Sequence, residues 1–203
     1  MKAILILFLI LPVVLADWSN ENTEVTSHAL ERFLPDKVGY RWSYWGFAEY
    51  GHWMILDKIE QIEDETVYNI SGMVEDMSDG EARRDFSFKL SYYLSDNALT
   101  VVRQPSFTMD NDFMKMDLLR LPLIEGNRWT ETVTDENGEQ IDLICEIEQI
   151  DEGLITVRYS QTDSPFYQLR VFEEGIGVVA FEKLYISQDG NFEVGYTLFR
   201  DNY

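Results

Sequence analysis

Cysteine is almost absent. Cys145 is the only one, so no intramolecular disulfide can form and a Cys-rich zinc site is excluded. Histidine is nearly as scarce, with only His28 and His52. No His-Glu-x-x-His motif occurs and no Gly-x-Ser-x-Gly elbow, so neither a zinc hydrolase nor a serine triad has its parts. Positive charge is short as well: 16 Lys and Arg stand against 37 Asp and Glu, a net charge of −21. Such a surface repels phosphate backbones and anionic lipid heads, which excludes nucleic acid as a partner and leaves cations, neutral ligands or a basic protein. Long apolar runs are missing after Leu15. The one near the start, Ala3 to Leu15, is shorter than the roughly 20 residues a membrane span requires. Lys2 precedes it, and Val14 and Ala16 supply the small residues of a cleavage site. Residues 1–16 are therefore expected to be a signal peptide cut after Ala16, leaving a secreted or periplasmic chain without a transmembrane segment.

What is present is β signal. Apolar residues make up 45% and aromatic residues 14% of the chain, in short runs of Val, Ile, Tyr, Phe, Trp and Thr divided by Gly, Asn and Asp. These runs predict strands near 40–48, 52–62, 66–74, 84–94, 98–104, 113–120, 128–134, 140–150, 154–160, 166–173, 177–186 and 192–200. Short connections between them demand antiparallel pairing. Within an N-terminal arm, 17–33, only Ser27 to Phe33 reads as helical, closed by Pro35. The expected fold is all-β and mainly antiparallel: a curved open-barrel-like sheet or two packed half-barrels, with one short N-terminal helical segment. At Asn137-Gly138 a tight hairpin turn is predicted, with positive φ at both residues.

The chain also repeats itself. Leu34-Pro35-Asp36-Lys37-Val38-Gly39-Tyr40-Arg41-Trp42 returns as Leu121-Pro122-Leu123-Ile124-Glu125-Gly126-Asn127-Arg128-Trp129, 87 positions later. Ile59-Glu60-Gln61-Ile62 returns as Ile147-Glu148-Gln149-Ile150 after 88. The pattern divides the chain into repeats 34–120 and 121–203. With no flexible linker between them, the two are expected to form one compact unit. Trp42 and Trp129 are expected to anchor the core.

The second copy, with Pro122, Leu123, Gly126, Asn127 and Trp129, is followed by Tyr167, Phe172 and the turn Gly175-Ile176-Gly177-Val178-Val179. In this it resembles a group of secreted bacterial β-rich proteins and lipoproteins. The resemblance implies an exported envelope protein; its motifs are structural and bring no catalytic residues.

Features found in one repeat alone are the candidates for function. After Trp129 the second repeat has the polar turn Asp135 to Gly138. At the same place the first repeat has Gly46-Phe47-Ala48-Glu49-Tyr50-Gly51-His52-Trp53, preceded by Trp45. Aromatics at a hairpin tip suggest a surface for a small apolar or carbohydrate ligand, or for an envelope protein partner. Trp45, Phe47, Tyr50, His52 and Trp53 are the candidate ligand-binding residues. Equally, the tip can fold over the sheet and plug its end. Asp57 falls on the face of Trp53, Ile55 and Ile59, which makes it a candidate buried carboxylate unless a bulge turns it outward. No cofactor is required; Ca²⁺ would find hard ligands at Asp110 and Asp112 or in the Glu75–Glu81 loop, though neither matches a Ca²⁺-binding loop motif. Cys145 reads as a small buried apolar group. The leading expectation is a non-enzymatic exported binding protein. A two-carboxylate hydrolase, or a Ca²⁺-stabilised structural module, is the alternative.

Overall fold

A computed structural model describes residues 29–76, 81 and 83–200. The expected signal segment, His28, most of the 17–33 arm and the Asp79-Gly80 part of the acidic loop lie outside the described residues. The strands are β1 (Arg41–Gly46), β2 (Gly51–Ile62), β3 (Glu65–Val74), β4 (Ser87–Leu94), β5 (Ala98–Arg103) and β6 (Lys115–Arg120). They continue as β7 (Arg128–Thr134), β8 (Gln140–Asp151), β9 (Leu154–Gln161), β10 (Tyr167–Glu173), β11 (Gly177–Tyr185) and β12 (Phe192–Leu198). Residues 29–31 are helical.

All of these strands join one antiparallel sheet in the order β6-β5-β4-β3-β2-β1-β12-β11-β10-β9-β8-β7. Neighbours in sequence are neighbours in space because hairpins need only a few residues to turn. The last strand comes round to the first, with Tyr44 opposite Leu198 and Gly46 opposite Tyr196. The sheet is thus a nearly closed, barrel-like meander, interrupted only between β6 and β7. At that seam the chain has a Phe113–Asp135 bridge and a bond from the Met114 N–H to the Thr134 carbonyl, 3.1 Å. Further down, the Glu131 carboxylate accepts the Asp117 N–H at 3.1 and 3.2 Å, doing the work a ladder would otherwise do.

The two opening motifs have the same backbone design. Gly39 and Gly126 hold φ of 87° and 80°, a region that glycine occupies freely. Each donates its N–H at 2.8 Å across to the second strand of its half, to the carbonyls of Leu56 and Ile147. Trp42 then lies opposite Met54, and Trp129 opposite Cys145. The bulges that follow fall at Asp57 and Glu148. By register the offset here is therefore 91 rather than 88, and the counterpart of Cys145 is Met54, not Asp57. The Asp135 turn also differs from expectation. Among its residues only Gly138 has positive φ, because the Asp135 carboxylate captures the N–H groups of Asn137 and Glu139 at 2.9 and 2.8 Å and fixes the turn itself.

Twelve strands make a ring too wide for aliphatic side chains alone to fill. Aromatic residues occupy the space: Trp42, Tyr44, Tyr92, Tyr159, Phe172 and Tyr196 are all buried. Leu30, Phe33 and Leu34 close the lower end from beneath, held by a 2.7 Å bond from the Gly175 N–H to the Arg32 carbonyl. Here the Gly175–Val179 turn has a structural task. Its Ile176 carbonyl accepts the Trp42 indole N–H, and its Val178 carbonyl the Tyr44 hydroxyl, both at 2.7 Å. β1 is thus tied to the segment around the β10–β11 turn through the interior, as well as to β12 along their ladder.

Candidate functional site

The aromatic hairpin separates into an outer and an inner set, because strand alternation sends successive side chains to opposite faces. Trp45 points outward and is 47% exposed; Phe47, at the tip, is 51% exposed and packs against Phe192, ring centroids 5.8 Å apart. Trp53 is half-buried on the outer face beneath the Arg41 guanidinium, 4.9 Å from its ring. Tyr50 turns inward, where its hydroxyl oxygen accepts the Met109 N–H at 3.0 Å and pins the loop between β5 and β6. His52 is 3% exposed, stacked 4.6 Å from Tyr44 and edge-on to Tyr196 at 4.8 Å. The five residues do not form one surface. Tyr50 and His52 plug the upper end of the core, while Trp45, Phe47 and Trp53 remain on the outside.

Between them the backbone is strained. Ala48 and Glu49 have φ of 53° and 62°, a left-handed conformation that costs a side-chain-bearing residue about 1 kcal/mol or more.

Trp45 walls a groove of about 360 Å³ on the outer face of β1, β12, β11 and β10. Its floor lacks a side chain at Gly195, in the outward phase of Glu193 and Thr197, and Gly46, in the inward phase of Trp42 and Tyr44, adds only backbone beside it. A Cβ on Gly46 would fall 2.2 Å from the Gly195 carbonyl oxygen, and one on Gly195 2.2 Å from that of Phe181. Both positions therefore demand glycine, leaving bare backbone beside an exposed indole. Leu169, Val171 and Ala180 continue the floor, while Thr156, Thr197 and Glu182 supply polar groups to the same groove.

A second concavity, about 320 Å³, opens at the upper end between the β5–β6 loop and the turns after β7 and β9. Its Asp112 carboxylate is held by Lys183 Nζ at 2.7 Å and by Gln168 Nε2 at 2.8 Å. Gln168 Oε1 in turn accepts from Arg170 at 2.7 Å. Behind it the fully buried Arg170 approaches Asp110, which pairs with Arg103 at 2.7 Å. A chain of alternating charges thus runs from the cleft into the core. The two guanidiniums hold the Asp110 carboxyl far below its ordinary range, although burial opposes them. Burial pushes His52 down to about 4, Arg103 adding to the shift and Asp110 opposing it. A cavity of about 10 Å³, of the order of one water site, separates His52 from Arg103 and Asp110.

The remaining sequence candidates are corrected by this geometry. Asp57 is not buried: as the bulged residue of β2 it is exposed and accepts a bond from the Ser71 hydroxyl at 3.0 Å. Asp110 and Asp112 are bound to cations, so neither is free to serve Ca²⁺, and among the described residues no three metal-ligating side chains come together. For a two-carboxylate hydrolase, Asp112 is committed to Lys183 and Asp135 to its own turn. Among the described residues, the one carboxyl raised toward neutrality, Glu131 at about 7, is outside the cleft, at the seam. Cys145 is buried, as its face suggested, with Sγ 3.7 Å from Glu131.

Sequence reasoning missed Gln168, Arg170 and Lys183, and considered Asn111 only as part of the Asp110–Asp112 stretch. On β10 the apolar phase, Leu169 and Val171, faces the outer groove, and the polar phase faces the core. An inverted pattern of that kind beside an aromatic strand was the available signal.

No family model matches the chain, and no curated protein matches its sequence. Two solved structures show similarity to it over most of their own length. One is described as an exported protein with a YmcC-like fold from Bacteroides fragilis NCTC 9343, with a TM-score of 0.50 and 12% identity, covering 83% of this chain and 97% of that one. The other is described as a lipoprotein from Parabacteroides distasonis ATCC 8503, with a TM-score of 0.42 and 10% identity, covering 82% and 96%. At 12% identity the likeness to the first of these concerns the fold alone.

Proposed function

We propose that this protein is an exported, non-enzymatic binding protein of the bacterial envelope, one of the β-rich group whose opening and Gly-Ile-Gly motifs it resembles. Its ligand is the apolar face of a carbohydrate ring, laid against Trp45 in the outer groove. The observation that carries this reading is the pairing of a half-exposed indole with a floor from which side chains are sterically barred. A sugar ring stacks its C–H face on an aromatic plane and needs hydroxyl and carboxylate partners at its rim; Thr156, Thr197 and Glu182 line the groove for that purpose. Export follows from the signal-like start of the sequence and suits a YmcC-like neighbour described as exported. No helix among the described residues is long and apolar enough to cross a membrane.

The test is a glycan-array screen followed by titration with the glycans retained. Trp45→Ala should abolish retention while moving the melting temperature by no more than about 2 °C, since an exposed side chain contributes little to stability. Tyr50→Ala should instead destabilise the fold by roughly 2–3 kcal/mol, since it removes a partly buried ring packed on the core and the anchor of the β5–β6 loop. Retention unchanged in Trp45→Ala would rule the groove out as the binding surface.

A further inference from the structure

We propose that the upper cleft is a second binding site, distinct from the groove, for a small ligand that carries an ammonium group on an apolar body. The cleft holds a buried acceptor that has no partner. Asn111 lines this cleft and is 6% exposed, yet its Oδ1 makes no hydrogen bond. Its orientation is determined by the other end of the amide: Nδ2 donates to the Ser106 carbonyl at 3.3 Å, and a flipped amide would set two oxygens against each other. An unpaired buried carbonyl costs about 1–3 kcal/mol. What satisfies it must donate.

The charge around it selects a cation. Lys183, the one basic group lining the cleft among the described residues, is spent on Asp112. The carboxylates of Asp135 and Glu136 at the opposite wall have no cation of their own in the cleft. The net charge of −21 on the whole chain adds a long-range field of the same sign, which concentrates cations and disfavours anions.

The apolar body is read from the remaining walls. Phe113 and Phe166 meet edge to face, ring centroids 6.1 Å apart, and Ile141 and Met109 lie beside them. At about 320 Å³ the cleft is at the small end of the range for ligand pockets. It admits a single ring or a short alkyl chain with one charged head, and the loop that carries Asn111 is held in place by the Tyr50 hydroxyl.

Three probes of nearly one shape separate the contributions: phenethylamine, 2-phenylethanol and phenylacetate, titrated into the whole protein at pH 7 by calorimetry. The amine should bind about tenfold or more tighter than the alcohol, as expected when a charge-assisted bond replaces a neutral one, and phenylacetate should show no saturable heat. Asn111→Leu should weaken the amine about tenfold. Phe166→Ala, on the far wall and outside that loop, should weaken it at least about threefold and serves if the first variant does not fold. Trp45→Ala should bind the amine as the parent does; a loss there would assign the amine to the groove and overturn the proposal. Absence of amine binding, equal affinity for amine and alcohol, or unchanged affinity in the folded cleft variants would each overturn it as well.

Discussion

His52 is held between Tyr44 and Tyr196 with almost no contact with water, so adding a proton means placing a charge where solvent cannot reach it. Its pKa in the folded chain is about 4, against about 6.5 in an unfolded one. Between those values the unfolded chain takes up a proton that the native one refuses. The stability associated with His52 is therefore complete above about pH 6.5 and is lost as the pH falls toward 4, by up to roughly 3 kcal/mol. His52→Phe keeps an aromatic ring in the stack and removes the titration. Urea denaturation at pH 7 and pH 4.5 should show a smaller acid-side loss in His52→Phe than in the parent. An identical loss in both would mean that the ring is reached by water in the native state.

At the level of strands and turns, some elements can be read directly from the chain and others cannot. On β9, Ile155, Val157 and Tyr159 alternate with Thr156 and Arg158, and the apolar phase faces inward as the period-two rule requires. β10 breaks the rule. Tyr167, Leu169 and Val171 form its more apolar phase, yet Gln168 and Arg170 are the buried ones. Their partners, Asp112 from the β5–β6 loop and Asp110 behind it, are more than fifty residues away, and no local pattern announces a charge network assembled over that separation. The same inversion leaves Leu169 and Val171 outside, where they line the groove, so both candidate sites escape a reading based on apolar faces. The hairpin after β1 was visible as an aromatic cluster, but not its division into a plug and a surface. That division depends on two consecutive left-handed residues, Ala48 and Glu49, which nothing in their side chains encodes. Ala48→Gly should relieve the strain and raise stability by about 0.5–1 kcal/mol, the gain reduced by the greater freedom of glycine in the unfolded chain. Thermal denaturation checks this. A fall in melting temperature would show that the methyl group supports the tip.

The molecule as a whole is a ring of strands with one imperfect join, and that join falls where the second copy of the Leu-Pro opening motif stands, at 121–129. β1 and β12 meet in a regular ladder, whereas β6 and β7 are stitched by side chains. Glu131 accepts the Asp117 N–H, Tyr159 donates to the Leu118 carbonyl at 2.5 Å, and Asn127 donates to the Arg120 carbonyl at 3.0 Å. Burial is the main reason that the Glu131 carboxyl sits at about 7; the Asp117 N–H lowers it and the Asp117 carboxylate raises it again. An unfolded glutamate titrates near 4.3. As the pH rises from there to about 7, the unfolded chain releases a proton that the folded one keeps, so stability is greatest at the acid end of the window and is lost across it. Above pH 7 a charge must remain at the seam beside Asp117. Glu131→Gln retains an acceptor for the Asp117 N–H without that charge. It should stabilise the protein by on the order of 2 kcal/mol at pH 8 and by about a quarter of that at pH 5. Hydrogen exchange adds a local reading: at pH 8 the amide of Asp117 should be better protected in the variant than in the parent, while amides in the β1–β12 ladder should differ only by the change in global stability. Equal protection of Asp117 in the two proteins would mean that the carboxylate is not what closes the ring.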